Sequence, residues 1–228
     1  VYSDVATNGE GAGAHRSPQN ALPDLMRMWG AILGREEEAE RFVAFHRRCF
    51  ERIAQRVAGA PPCKTYLEIM SVSDECCWAA GQRVWGELLS AAGGRSLDGV
   101  SAPWFSRVQI EHLIDDKPDV YIATGGAFSS RSRPALGPGL DSRLARDNLK
   151  RLTERAGFSF LPAVRNGRVH AVWTGLITVQ PFNLLFAEIV AKWLHPELTS
   201  DIDPDATLSE LNERFSTKLD GALWISLG

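Results

Sequence analysis

Apolar side chains recur every three to four residues over residues 21–57, a spacing that is typical of amphipathic helices. The pattern predicts two helices separated at Gly34, the first with Pro23 in its first turn and the second with glutamates at 36–38 in its first turn. The apolar face of the first helix should consist of Leu22, Leu25, Met26, Trp29, Ile32 and Leu33. That of the second should consist of Ala39, Phe42, Val43, Phe45, Phe50, Ile53 and Val57.

From residue 63 onward, the pattern alternates between the two-residue period of strands and the helical period. Strands are predicted at 63–70, 96–100 and 120–124, as two short strands within 158–173, and at a sheet edge over 221–227. Helices are predicted at 82–94, 106–119, 140–157, 180–197 and 203–215, the last with Thr207 as its N-cap, and residues 71–81 and 125–139 are expected to be loops. Because strands alternate with helices, we expect an α/β fold, a three-layer Rossmann-like lobe with a mostly parallel central sheet.

Three loops follow predicted strand ends, and in a parallel sheet such loops open on the same edge, where ligands bind. The first holds Glu75, Cys76, Cys77 and Trp78; the second holds Thr124, Gly125, Gly126, Phe128, Arg131 and Arg133; the third holds Trp173, Thr174 and Gln180. Aromatic rings, arginines and bare glycine backbone suit a bulky, partly anionic ligand. The alternatives are core packing for the two tryptophans and a solvated loop for the two arginines.

Composition excludes some classes of function. The net charge of −3 gives no basic excess for binding nucleic acid, and no apolar stretch reaches the roughly 18 residues of a membrane span. The four cysteines include no CxxC pair, so we do not expect a zinc ribbon. We expect no bound cofactor either. Cys49 and Cys63 are interpreted as buried small apolar residues in preference to a disulfide, whereas the adjacent Cys76 and Cys77 have no explanation from the pattern.

Motifs of common enzymes are absent from the sequence. It has no P-loop, no GxSxG elbow and no HExxH pair, and the glycines after residue 124 do not open directly on a helix as a dinucleotide fingerprint requires. We therefore favour a binding protein over an enzyme. Two alternatives stay open: a Rossmann-like enzyme that uses Cys77 or the Thr124-Gly125-Gly126 loop, and an interaction lobe that binds no ligand by itself.

Five segments, taken in order, resemble the periplasmic substrate-binding proteins that serve iron-siderophore, haem and cobalamin importers. They are AILGREEEAERFVAFHRR (31–48), GELLSAAGG (86–94), PDVYIATGG (118–126), LPAVRNGRVHAVW (161–173) and LLFAEIVAKWLHPEL (184–198). The resemblance extends over residues 31–215. The ECCW segment at 75–78 and the long loop after residue 126 depart from the commonest members.

This resemblance implies two α/β lobes joined by one long helix, with the ligand between them. Residues 1–20 would then end the amino-side lobe, residues 21–58 would hold the linker and following helix, and residues 59–228 would form the carboxyl-side lobe. Most of the amino-side lobe is expected to lie outside this sequence.

The resemblance also implies a function, that of the solute receptor of an ABC importer, a monomer that is periplasmic or lipid-anchored outside the cytoplasm. It would capture a ferric siderophore or related chelate, or haem or cobalamin, and deliver it unchanged to an inner-membrane permease. The ligand contacts expected are Cys77, Trp78, Thr124, Gly125, Gly126, Arg131, Arg133, Trp173 and Thr174. Docking to the permease is assigned to Asp141 or Asp147.

Overall fold

The computed structural model describes residues 16–72, 76–126 and 133–228. The described part begins with a helical hairpin, α1 (Pro18–Leu33) and α2 (Glu36–Val57), which turns at Gly34 with a positive φ of 64°. Both helices are confirmed, but α1 starts five residues before Pro23, because Pro18 occupies the first helical position, where its missing N–H costs nothing. The boundary expected at residue 20 therefore lies within α1, and the expectations for residues 1–15 lie outside the described residues.

Strands and further helices alternate along the rest of the described chain. The strands are β1 (Cys63–Glu68), β2 (Trp78–Ala80), β3 (Gly94–Arg95), β4 (Phe105–Arg107), β5 (Val120–Gly125), β6 (Val169–Trp173) and β7 (Trp224–Ser226). The helices are α3 (Trp85–Ala91), α4 (Ile110–Asp116), α5 (Ser142–Thr153), α6 (Pro162–Arg165), α7 (Gly175–Thr178), α8 (Asn183–Leu194) and α9 (Pro204–Arg214). Short 3-10 turns occupy Phe158–Phe160 and Gln180–Phe182.

One mixed sheet has the order β4-β2-β1-β5-β6-β7, and β3 pairs with the amino end of β1. β5 lies parallel to both β1 and β6, whereas β2, β4 and β7 attach through antiparallel pairs. Side chains of β5 alternate between two cores: Val120 and Ile122 pack with α2, α3 and α8, while Tyr121 and Ala123 pack with α4 and α5. The predicted three-layer α/β fold is confirmed.

Several local predictions are wrong. The loop expected at 71–81 contains β2, and the strand expected at 96–100 is replaced by β3, which ends at Arg95. Only the second of the two strands expected within 158–173 exists, because Pro162 starts the single-turn helix α6. α4 begins at Ile110, since Phe105–Arg107 pairs with β2 instead.

Two further corrections concern helix ends. Asp203, not Thr207, caps α9, because its carboxylate accepts hydrogen bonds from the backbone N–H groups of Asp205 and Ala206. At the end of α1, Ile32 and Leu33 are more than half exposed, so the expected apolar face does not extend over the last turn. That turn borders an open groove between α1, α2 and α9. Among the described helices, none has the length and apolarity needed to cross a membrane.

Candidate functional site

The carboxyl ends of β1, β5 and β6 lie side by side, because these strands are parallel neighbours. β2 is antiparallel to β1, so the chain enters β2 at the same place, with Trp78 directly after the two adjacent cysteines. We call this edge of the sheet, formed by residues 69–72, 76–78, 125–126 and 173–174, the binding edge. The loop residues that lie directly at these strand ends are therefore neighbours across the sheet.

The two glycines at the end of β5 have different roles. Gly125 is buried, and its carbonyl accepts two hydrogen bonds of 2.9 Å, from the backbone N–H and the hydroxyl of Thr174. A Cβ on Gly125 would lie 2.3 Å from the carbonyl oxygen of Pro134, so no side chain fits between β5 and that segment. Gly126 is half-buried, and a Cβ there would meet no atom within 4 Å. Of these two glycines, Gly126 is therefore the one with space for a ligand among the described residues, although its N–H donates to the Pro134 carbonyl at 3.2 Å.

Two half-buried tryptophans stand at the binding edge. The ring of Trp78 makes an edge contact with Phe105 at 5.7 Å, and the guanidinium of Arg107 lies 5.9 Å from its centroid. Trp173 ends β6, and its ring packs against Gly175, where a Cβ would lie 2.2 Å from the indole. Both half-buried residues also pack against the hydrophobic core, so core packing, the alternative interpretation from the sequence, accounts for part of each side chain.

The sequence profile of a family described as periplasmic binding protein matches residues 5–172. This chain belongs to the periplasmic binding protein family. The resemblance seen in the sequence is therefore confirmed. A comparison with curated proteins finds no match.

Solved structures of other family members share the fold of this periplasmic binding protein. The TroA-like periplasmic binding protein FepB from Veillonella parvula is 26% identical, with a TM-score of 0.83 over 92% of this chain and 62% of FepB. A periplasmic heme binding protein from Pseudomonas aeruginosa is 17% identical (TM-score 0.63, 92% of this chain, 65% of that one). The molybdate-binding protein MolA from Haemophilus influenzae is 15% identical (TM-score 0.65, 89% and 58%). The chain spans less than two thirds of the length of each.

The other residues predicted to bind ligand in this periplasmic binding protein are not among those that form the binding edge. Thr124 is buried in the sheet, and its backbone N–H donates to the Ser71 hydroxyl at 3.0 Å. Arg133 is exposed, and its carbonyl accepts a hydrogen bond from Asn148 at 2.6 Å. Arg131, like Glu75 and Phe128, lies outside the described residues.

Both aspartates assigned to docking are exposed on or beside α5. Asp141 is the N-cap of α5, and its carboxylate accepts a 2.7 Å hydrogen bond from the backbone N–H of Arg143. Asp147 lies six residues further along the same helix. Asp141 therefore has a structural role of its own, whereas no hydrogen bond or ion pair with another described residue is assigned to the Asp147 side chain.

A buried ion pair behind the binding edge was missed by the sequence analysis. Arg155 donates to both carboxylate oxygens of Glu68 at 2.8 Å, and the two side chains are 7% and 2% exposed. The hydroxyls of Tyr66 and Tyr121 also donate to this carboxylate. Burial, together with the charge of Glu68, raises the pKa of both tyrosines well above its usual value, so both remain donors.

Arg155 extends this network to the binding edge. Its guanidinium also donates to the carbonyl oxygen of Val72 at 3.2 Å, at the start of the loop that leads to Trp78. Ser71 is fixed as well, since its hydroxyl donates to the Glu68 carbonyl at 3.0 Å. The network therefore holds the beginning of this loop against the sheet. The only signals in the sequence were a glutamate within an apolar strand and an arginine at a helix end, and neither specifies a partner.

The structure joins the sulfur atoms of Cys76 and Cys77 in a disulfide. Cys77 is buried and Cys76 is half-buried, and a carboxylate oxygen of Glu68 lies within 4.8 Å of both sulfurs. A sulfur in a disulfide is no thiolate, which disfavours Cys77 as the nucleophile of an enzyme. Glu68, Cys76 and Cys77 also do not fit a metal ion while the disulfide is present, because the Glu68 oxygens already accept hydrogen bonds from Arg155 and two tyrosines. Cys49 and Cys63 are buried free thiols, as predicted.

Proposed function

We propose that this chain is the carboxyl-side lobe, with the linker helix, of the solute-binding receptor of an ABC importer. The receptor captures a ferric siderophore or a related metal chelate outside the cytoplasm and delivers it unchanged to a permease. Family membership supports the receptor role. The observation that carries the ligand class is the binding edge itself, where the half-buried Trp78 and Trp173 lie on strands to either side of β5 and Gly126.

The chemistry of the binding edge supports a large ligand with some negative charge. Aromatic faces stack on planar or apolar groups, and the exposed Arg107 adds positive charge beside the Trp78 ring. The proteins of similar structure include a heme binding protein, the molybdate-binding MolA and a Helicobacter pylori protein in complex with nickel and histidine, so this fold accommodates metal-containing solutes of several sizes. Two tryptophans suit a bulky chelate better than a small oxyanion. The opposite wall of the cleft would come from the amino-side lobe, beyond the residues of this chain.

Replacing Trp78 and Trp173 together by alanine is expected to weaken ligand binding by at least tenfold, since each stacking contact contributes about 1 kcal/mol. The measurement is tryptophan fluorescence of the full-length protein, titrated with ferric siderophores, haemin, cobalamin and molybdate. One of these should give saturable quenching in the wild type. Trp29→Ala is the control, because Trp29 lies on α1, away from the binding edge. Quenching that persists unchanged in the double variant would place the ligand elsewhere.

We assign permease docking to the exposed carboxylates of Asp141 and Asp147, which would meet basic groups on the permease. Removing both charges with asparagine should reduce the ATPase stimulation that the full-length receptor gives to its reconstituted importer. Asparagine at position 141 keeps the helix cap, so stability and ligand affinity should not change. Glu154→Gln, which removes one carboxylate at the other end of α5, serves as a control and should leave the stimulation unchanged. Undiminished stimulation by the double variant would exclude this docking surface.

A further inference from the structure

The cysteine pair at the binding edge has no role in the function proposed above. The two sulfurs belong to consecutive residues that lead into β2, and the backbone there is fixed by a 3.0 Å hydrogen bond from the Val108 N–H to the Cys77 carbonyl. Cys77 packs among apolar and aromatic side chains of the second core, which include Tyr66 and Tyr121. Cys76 is half-buried, so one sulfur of the pair belongs to a residue that solvent can reach.

We propose that Cys76 and Cys77, once reduced, form a chelating site for a thiophilic metal or metalloid ion at the binding edge. Thiolates are soft donors that favour soft ions, and two sulfurs on adjacent residues can bind one ion without closing a long loop. The position of the pair beside Trp78 puts the bound ion at the same edge as the proposed ligand. This site does not depend on which chelate the receptor carries, or on whether it carries one.

Charge balance around the pair is consistent with a doubly charged partner. Among the described residues, Glu68 has a carboxylate oxygen within 4.8 Å of both sulfurs, and its charge is neutralised by Arg155 through two hydrogen bonds of 2.8 Å. Two thiolates beside this neutral pair would carry two negative charges, which an ion of charge 2+ or an organoarsenic(III) group would cancel. Glu68 keeps its bonds to Arg155 and the two tyrosines, so we do not count it as a ligand.

Redox state controls the site, because the disulfide has no free thiolate. A dithiol reductant gives two electrons and two protons to Cys76 and Cys77 and becomes a disulfide itself. The resulting thiols then react with an arsenoxide, R–As=O. Two S–As bonds form, and both thiol protons leave with the arsenic-bound oxygen as water. The oxidised protein has no equivalent reaction, so binding should require prior reduction.

Phenylarsine oxide is the probe for this site, with intact mass spectrometry of the full-length protein as the readout. The untreated protein should bind none. After reduction with dithiothreitol and removal of the reductant, it should gain the mass of one phenylarsenic group. Cys76→Ser should abolish this adduct, and because Cys76 is half-buried, its hydroxyl replacement should leave the fold intact. A Cys49→Ala/Cys63→Ala variant should keep the adduct, since both of those thiols lie elsewhere and are buried.

A second measurement uses Cd²⁺ alone and the ultraviolet charge-transfer absorption of cadmium–thiolate bonds. The reduced protein should titrate with one Cd²⁺ per chain, and one equivalent of phenylarsine oxide should abolish the signal. The proposal is overturned if the reduced protein gains no adduct, if Cys76→Ser retains it, or if the pair resists reduction in a thiol titration. It is also overturned if the oxidised protein binds the arsenical as well as the reduced one does.

Discussion

Replacing Arg155 by methionine is expected to lower the free energy of unfolding by about 3–5 kcal/mol, the usual cost of leaving one partner of a buried ion pair uncompensated. The Glu68 carboxylate would keep its two tyrosine donors but lose its counter-ion in a position where only 2% of the side chain is exposed. Methionine retains most of the apolar volume of the arginine side chain, which packs over the ring of Phe158. Urea denaturation monitored by circular dichroism measures the change.

An exposed ion pair provides the matched control. Arg56 donates to both carboxylate oxygens of Asp201 at 2.9 and 2.8 Å, a geometry like that of Arg155 with Glu68, but the two side chains are 49% and 44% exposed. Arg56→Met should therefore lower the free energy of unfolding far less than Arg155→Met does, because solvent screens an exposed ion pair. The double variant Arg155→Met/Glu68→Gln should recover part of the loss, because it removes the uncompensated charge. Equal effects at Arg155 and Arg56 would contradict the assignment of a buried charge.

The same substitution connects stability to binding. Arg155 also holds the carbonyl of Val72, at the start of the loop that leads to Trp78. Loss of that hydrogen bond frees one anchor of the loop, so ligand affinity should fall in Arg155→Met even under conditions where the protein remains folded. Arg56 lies near the end of α2 and its guanidinium is hydrogen-bonded to Asp201, so Arg56→Met should bind ligand normally.

The parts of the fold that the sequence predicted are those whose signals are local. β5 is a run of β-branched and aromatic residues between Pro118 and a glycine pair, and it was located to within one residue. β2 was missed because Ala79 and Ala80 have no strand preference, and the strand exists only through its antiparallel pairing with β1 and β4. A strand that depends on tertiary pairing of this kind has no periodic pattern of apolar residues in the sequence.

The candidate site was predicted less completely than the fold. Topology alone places the loops after β1, β5 and β6 at one edge, so their juxtaposition could be expected from the order of strands and helices. The Glu68–Arg155 pair could not, since its partners are 87 residues apart and charged residues are ordinarily expected at the surface. Thr124 illustrates the same limit, because its burial depends on sheet neighbours that the sequence does not specify.

Gly125→Ala is expected to destabilise the protein by about 3 kcal/mol and to weaken ligand binding, although glycine to alanine is a small change. The new Cβ would lie 2.3 Å from the carbonyl oxygen of Pro134, so one of the two backbones has to shift. Neither moves freely: Leu136, two residues on from Pro134, is fully buried, and Gly125 is fixed by two hydrogen bonds from Thr174. Thermal denaturation and the fluorescence titration measure the two effects.

Gly126→Ala, at the next position, tests whether a ligand approaches the backbone there without disturbing the packing of the protein. A Cβ on Gly126 meets no atom of the described residues within 4 Å, so the stability of the Gly126→Ala protein should stay within about 0.5 kcal/mol of the wild type. If the ligand approaches the backbone at Gly126, the added methyl group should still weaken binding several-fold, with no change in the unfolding transition. Suppose that Gly126→Ala binds ligand normally while Gly125→Ala binds it more weakly. The glycine pair would then serve only to pack β5 against the segment at Pro134. In that case the ligand contacts would have to come from the tryptophan rings and the arginines.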